Sequence, residues 1–169
     1  MKSYRILYLL LCLIVFNGCA QKKSKNSNIT KYILVRHAEK NISDSSDPDL
    51  TAAGILRANN LAEMFKETTI DFVFSTDTKR TIQTATPIAK SKKTEIITYD
   101  PRDLYTDDFK LKTNNKTSVI VGHSNTIPDL VNKIIGKQKY KDINEEDYSN
   151  LFTITIKGDT ITDHLENYN

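Results

Sequence analysis

Short apolar runs rich in β-branched residues alternate with segments whose apolar residues recur at helical spacing, and this alternation most constrains the fold. Tyr32-Ile33-Leu34-Val35 suits a buried central strand. Thr51 stands as an N-cap ahead of Gly54, Ala58, Leu61 and Phe65, which share one helical face. Asp71–Ser75 is a second strand, and a helix from Lys79 to about Ala89 turns Ile82, Ala85 and Ala89 inward. Pro87 removes an amide donor there, so a kink or break is expected at that turn. Glu95–Tyr99 and Ser118–Val121 are further strands. Ile127, Leu130, Val131, Ile134 and Ile135 form the clearest helical stripe, closed by Gly136. Leu151–Ile156 and Thr160–His164 flank Lys157-Gly158-Asp159 as a hairpin. Strand–helix alternation predicts a three-layer α/β/α sandwich, its sheet mainly parallel with an antiparallel edge hairpin at the C-terminus.

A chain of 169 residues holds one domain, or one domain plus appendages. With 38% hydrophobic and 27% charged residues it is neither a multi-span membrane protein nor a disordered polyelectrolyte. The formal charge of +3 calls for no nucleic-acid partner, and two cysteines, Cys12 and Cys19, make neither a disulfide framework nor a cysteine zinc site. Lys2 and Arg5 precede eleven apolar residues, Ile6–Phe16. A spanning helix needs roughly 17–25, so the run reads as a cleaved export signal. Cys19 directly after Gly18 makes it resemble a bacterial lipoprotein signal, in which the cysteine is lipidated and becomes the mature N-terminus. The expected organisation is a signal peptide over 1–18, a lysine-rich flexible tether over 19–30 and a globular domain over 31–169. That makes an exported, membrane-anchored lipoprotein of the cell envelope, held through Cys19.

In sheets of this kind, sites form beyond the carboxyl ends of the strands. Arg36-His37 follows the first strand, Ser75 through Arg80 follows the second, and Gly122-His123-Ser124 follows the fourth. Taken singly, each has a bland explanation: a solvated strand end, an Arg80–Asp77 surface pair, a histidine bonded to a backbone carbonyl. Jointly, three strand ends converge on one chemistry. Guanidinium forks match phosphate oxygens, helix N-termini add amide donors, and an imidazole in that field can act as nucleophile or proton donor. Two arginines and two histidines would neutralise a phosphoryl group without a metal or cofactor.

These residues resemble the histidine phosphatase superfamily, the phosphoglycerate-mutase-like group. Leu34-Val35-Arg36-His37-Ala38 is similar to its Arg-His-Gly motif, with Ala for Gly. Leu50-Thr51-Ala52-Ala53-Gly54 with Arg57-Ala58 resembles its Leu-Thr-x-x-Gly segment, and Ser75 through Arg80-Thr81 and Thr84-Ala85 its arginine element. Val121-Gly122-His123-Ser124 resembles its second histidine motif. The resemblance implies that His37 becomes phosphohistidine, that Arg36 and Arg80 clamp the phosphoryl oxygens, and that His123 stabilises charge on the transferring group. A small phosphorylated substrate is then the expected partner. For attack, His37 must be neutral at one ring nitrogen while the other donates to a backbone carbonyl.

The proton donor departs from the family pattern. Leu104-Tyr105-Thr106 carries no acid where larger members have Glu, and Ser124 stands where others have Asp. Glu39, Asp100, Asp103, Asp107 and Asp108 are the nearby candidates, although turn chemistry accounts equally well for the aspartates, above all for Asp100 before Pro101. The expected activity is metal-independent hydrolysis of a phosphomonoester or phosphoramidate through a phosphohistidine. The alternatives are a phosphate-binding module of the same fold and, ranked lower, a phosphomutase.

Overall fold

The computed structural model describes residues 28–42 and 46–168. The expected signal peptide over 1–18, the lipidation site Cys19 and nearly all of the expected tether lie outside these residues. Among the described residues, no helix is long and apolar enough to cross a membrane.

In chain order the elements are β1 (Ile29–Arg36), α1 (Ala52–Met64), β2 (Phe72–Thr76), α2 (Lys79–Lys92), β3 (Ile96–Tyr99), α3 (Asp107–Thr113), β4 (Thr117–Gly122), α4 (Thr126–Ile135), β5 (Asn150–Lys157) and β6 (Thr160–Asn167). They form one six-stranded sheet ordered β3-β2-β4-β1-β5-β6. Neighbours among β1 to β4 pair in parallel, while β5 runs antiparallel to β1 and β6 antiparallel to β5. The fold is the expected mixed α/β sandwich with its C-terminal hairpin.

Side-chain alternation along the central strands creates two cores. Ile33, Val35, Val73, Val119 and Val121 meet Leu61 and Phe65 beside α1 and Ala85, Ile88 and Ala89 of α2 on one face. Tyr32, Leu34, Phe74 and Ile120 meet Phe109 of α3 and Ile127, Leu130, Val131 and Ile134 of α4 on the other. Strands buried on both faces must be apolar throughout, which is why β1 and β4 read as unbroken runs.

Thr51 caps α1 as expected, its side chain accepting from the Gly54 amide, and Gly136 closes α4 in the left-handed conformation at φ 68°. Pro87 neither breaks nor ends α2, which continues to Lys92. The packing of Ala85, Ile88 and Ala89 on both sides of Pro87 against the sheet outweighs the one hydrogen bond the ring forgoes. One element was not expected: α3 is only seven residues long, too short for a periodic signal, and is started by Thr106 accepting from the Phe109 amide.

Chain direction explains where a site forms. The connection from β1 leads through α1 towards β2, whereas that from β4 leads through α4 past β1 to β5. The two paths diverge on opposite faces, and the crevice they leave lies at the carboxyl ends of β1 and β4.

Candidate active site

Register brings the predicted residues level. Arg36 pairs with Gly122 across β1 and β4, and Ser75 with Val121 across β2 and β4, so His37, His123 and Thr76 emerge at one height. The His37 amide donates to Gly122 O at 2.9 Å, stitching the two histidine segments together. The imidazole centroids of His37 and His123 lie 5.5 Å apart, edge to face.

His37 is 2% exposed, and its Nδ1 lies 2.8 Å from Ala38 O. A carbonyl only accepts, so Nδ1 carries the proton and Nε2 keeps the lone pair. Burial, with the charges of Arg36, Arg80 and His123 acting the same way, pushes the ring down to about 3 against the partial opposition of the Ala38 bond. The imidazole is therefore neutral and nucleophilic at neutral pH. The Ala38 amide is itself held by Thr84 Oγ1 at 3.0 Å, tying the residue after His37 to α2.

His123 is oriented by a chain of threonine hydroxyls. Thr81 Oγ1 donates towards the carbonyls of Thr76 and Thr78, and Thr76 Oγ1 donates to Thr81 Oγ1 at 3.0 Å. A lone pair of Thr76 Oγ1 thus faces His123 Nε2 at 3.0 Å, which places the ring proton there. His123 Nδ1 is left to accept from Arg80 Nη2 at 3.4 Å. Burial, then Arg80, Arg36 and Lys40, push this ring down to about 4.

The two arginines are held differently. Arg80, in the first turn of α2, pairs with Asp47 at 3.3 Å rather than with Asp77. Arg36 is 1% exposed, and its Nη1 donates to the carbonyls of Asn144, Glu145 and Asp147 at 2.8, 3.0 and 3.0 Å. Its Nη2 donates to a Glu145 carboxylate oxygen at 2.7 Å, and the Tyr148 ring covers the guanidinium at 4.3 Å. Burying such a charge costs several kcal/mol unless every donor is met. Yet Nε of Arg36 and Nε of Arg80 are both buried without a hydrogen-bond partner. Two cationic donors lacking acceptors beside two neutral imidazoles make a site short of an anion.

The proton-donor candidates scatter. Glu39 points to Arg57, with three contacts of 2.8–3.0 Å; burial works against its charge, but the arginine holds the carboxyl below the usual range. Asp100 lines a cleft of about 540 Å³ with His123, Thr76, Asp77 and Tyr99, but Arg102 grips it and lowers it to about 2. The Asp103 amide closes a turn onto Asp100 O. Asp107 pairs with Lys110 in the first turn of α3, where Asp108 is also exposed. The acid that does approach the histidines is Glu145, in the connection from α4 to β5, together with Tyr148, whose ring lies 6.0 Å from that of His37. Neither carried a sequence signal: Asn144-Glu145-Glu146-Asp147 reads as a solvated loop. Among the described residues no group of three or more His, Cys, Asp or Glu could hold a metal ion.

Residues 32–102 match the model of the histidine phosphatase superfamily (branch 1). The chain is 41% identical over 75 residues to a Proteus mirabilis protein named probable phosphoglycerate mutase GpmB, covering 41% of this chain and 34% of that protein. It is 37% identical over 78 residues to phosphoserine phosphatase 1 of Hydrogenobacter thermophilus, covering 43% and 37%. It thus spans little more than a third of the length of these curated relatives. Among solved structures, the protein histidine phosphatase SixA complexed with tungstate superposes with a TM-score of 0.65 at 14% identity, over 81% of this chain and 96% of that one. Phosphoserine phosphatase from Entamoeba histolytica in complex with 3-phosphoglyceric acid gives 0.63 at 20% identity, over 83% and 98%. At such identities the superpositions speak for the fold. Over residues 32–102 the sequence resembles the histidine phosphatase superfamily, and the fold of the described residues agrees with that of these solved phosphatases.

Proposed function

We propose that this protein is a phosphatase that transfers the phosphoryl group of a small phosphomonoester or phosphoramidate to Nε2 of His37 and then to water. The observation that carries the reading is the fixed tautomer of His37: Nδ1–H on Ala38 O, and a neutral lone pair beside His123 and the two guanidinium groups. A loose phosphoryl transition state asks mainly for positioning and for compensation of charge on the transferring oxygens. Arg80 and Arg36 supply that compensation, and His123 adds to it when a proton reaches Nδ1. Relatives bearing phosphatase and mutase names support the class and leave the substrate open.

A phosphate-binding module of the same fold is the competing reading, and the two differ in what happens to His37. Incubation with p-nitrophenyl phosphate followed by quenching is expected to show release of p-nitrophenol and an acid-labile phosphoryl group on His37. His37→Ala should lose both. Tight phosphate binding by the wild type with no turnover and no phosphohistidine would overturn the enzymatic reading.

A further inference from the structure

The structure holds a carboxylate where the sequence offers no proton donor. Glu145 reaches the site from the connection between α4 and β5, far in sequence from His37 and one helix beyond His123. One carboxylate oxygen accepts from Arg36 Nη2 at 2.7 Å, and the other accepts from Ser124 Oγ. Lys40 Nζ lies 3.9 Å away. Its neighbours are therefore the residue before the nucleophile and the residue after the second histidine. The side chain is 65% exposed, so it sits at the mouth of the site, where a leaving group must depart, and not in its floor.

We infer that Glu145 is the general acid of the first step and the general base of the second. This rests on the phosphatase reading above and adds a residue to it. In the free protein the carboxyl is held below its usual range, chiefly by Ser124; burial, the next largest effect, opposes this, and Arg36 and Lys40 add to it. It is then ionised and has no proton to give. A phosphomonoester changes this through the same contacts. Its oxygens compete for Arg36 Nη2 and bring negative charge beside the carboxylate; both effects favour protonation of Glu145, with Lys40, Ser124 and neutral His123 left as its other neighbours.

In the first step the Nε2 lone pair of His37 forms the N–P bond and the bond from phosphorus to the leaving oxygen breaks. That oxygen keeps the electron pair and takes the proton of Glu145. In the second, water forms the new P–O bond and gives its proton to the Glu145 carboxylate, while the N–P pair returns to Nε2. The acid is thereby regenerated.

Leaving-group dependence tests the assignment. Glu145→Gln should lower kcat/KM for an alkyl phosphate such as phosphoserine by about 10²–10⁴-fold. For p-nitrophenyl phosphate, whose leaving oxygen needs little protonation, the loss should stay below tenfold. Glu145→Asp should recover part of the alkyl activity, and Glu146→Gln, on the neighbouring exposed residue, should match the wild type with both esters. Equal losses on both esters would mean that Glu145 only holds Arg36, and no loss would mean that it takes no part; either overturns the proposal. If the wild type forms phosphohistidine on His37 while Glu145→Gln shows no leaving-group dependence, only this assignment falls. If the wild type forms none, the phosphatase reading falls first.

Discussion

A single hydroxyl sets the proton position of His123. Thr76 Oγ1 donates to Thr81 and so presents only a lone pair to the ring, which keeps Nδ1 turned to Arg80. Thr76→Val preserves shape but removes that acceptor and leaves Nε2–H without a partner, at a cost of about 1–3 kcal/mol in stability. If His123 acts on charge that develops in transfer, as the proposed function has it, kcat should fall roughly tenfold with KM little changed, and Thr76→Ser should restore it. A fall confined to KM would show that the hydroxyl serves substrate binding instead. At this scale the sequence exposed the histidines and Arg80 but not their companions. Arg36 appears in its motif as a phosphate ligand, yet three of its four hydrogen bonds go to the carbonyls of Asn144, Glu145 and Asp147, a relation more than a hundred positions apart that no local pattern encodes. Glu145 was hidden for the same reason.

Between elements, the tightest constraint is the approach of α1 to the segment after His37. A Cβ on Gly54 would stand 2.3 Å from Glu39 O, backbone that cannot swing aside. Gly54 is thus required by contact and not by a turn. Glu39 O in turn accepts from the Thr51 amide at 2.9 Å, so the helix start and the segment after His37 are one unit. Gly54→Ala should push residues 38–40 away from α1, costing about 1–3 kcal/mol by thermal or urea unfolding and lowering activity even where the protein stays folded. An unchanged melting temperature with full activity would show that the segment gives way freely. The central strands were readable as apolar runs and the three longer helices as periodic faces, because both are buried, while exposed β6 was legible from the Gly158 turn of its hairpin. The length of α2 was not, since sheet packing decides whether a helix survives Pro87.

For the molecule as a whole, the site couples protonation to stability. In the unfolded chain His37 and His123 take up protons near pH 6.5, whereas folded they stay neutral until about 3 and about 4. Wherever the unfolded state binds more protons, stability rises with pH, so it must fall as pH drops from 7 towards these folded values. Between pH 7 and 5, buried His37 alone should account for about 2 kcal/mol of lost stability, with a smaller share from the more exposed His123. Carboxyls held low, such as Asp100 and Glu145, bring their own losses mainly below this window. A tetrahedral dianion in the site reverses the effect. Tungstate bound beside the imidazoles would favour their charged forms, raise both folded values and stabilise the native state by mass action. Urea unfolding at pH 7 and 5, with and without sub-millimolar tungstate, should show a pH loss that shrinks when the oxyanion is present. His37→Asn should remove the His37 share in its absence. Stability that is flat from pH 7 to 5 in the free protein would mean that the folded imidazoles take up protons as the unfolded ones do, and stability that rises would mean that they are already charged in the fold, where His37 has no lone pair with which to attack phosphorus.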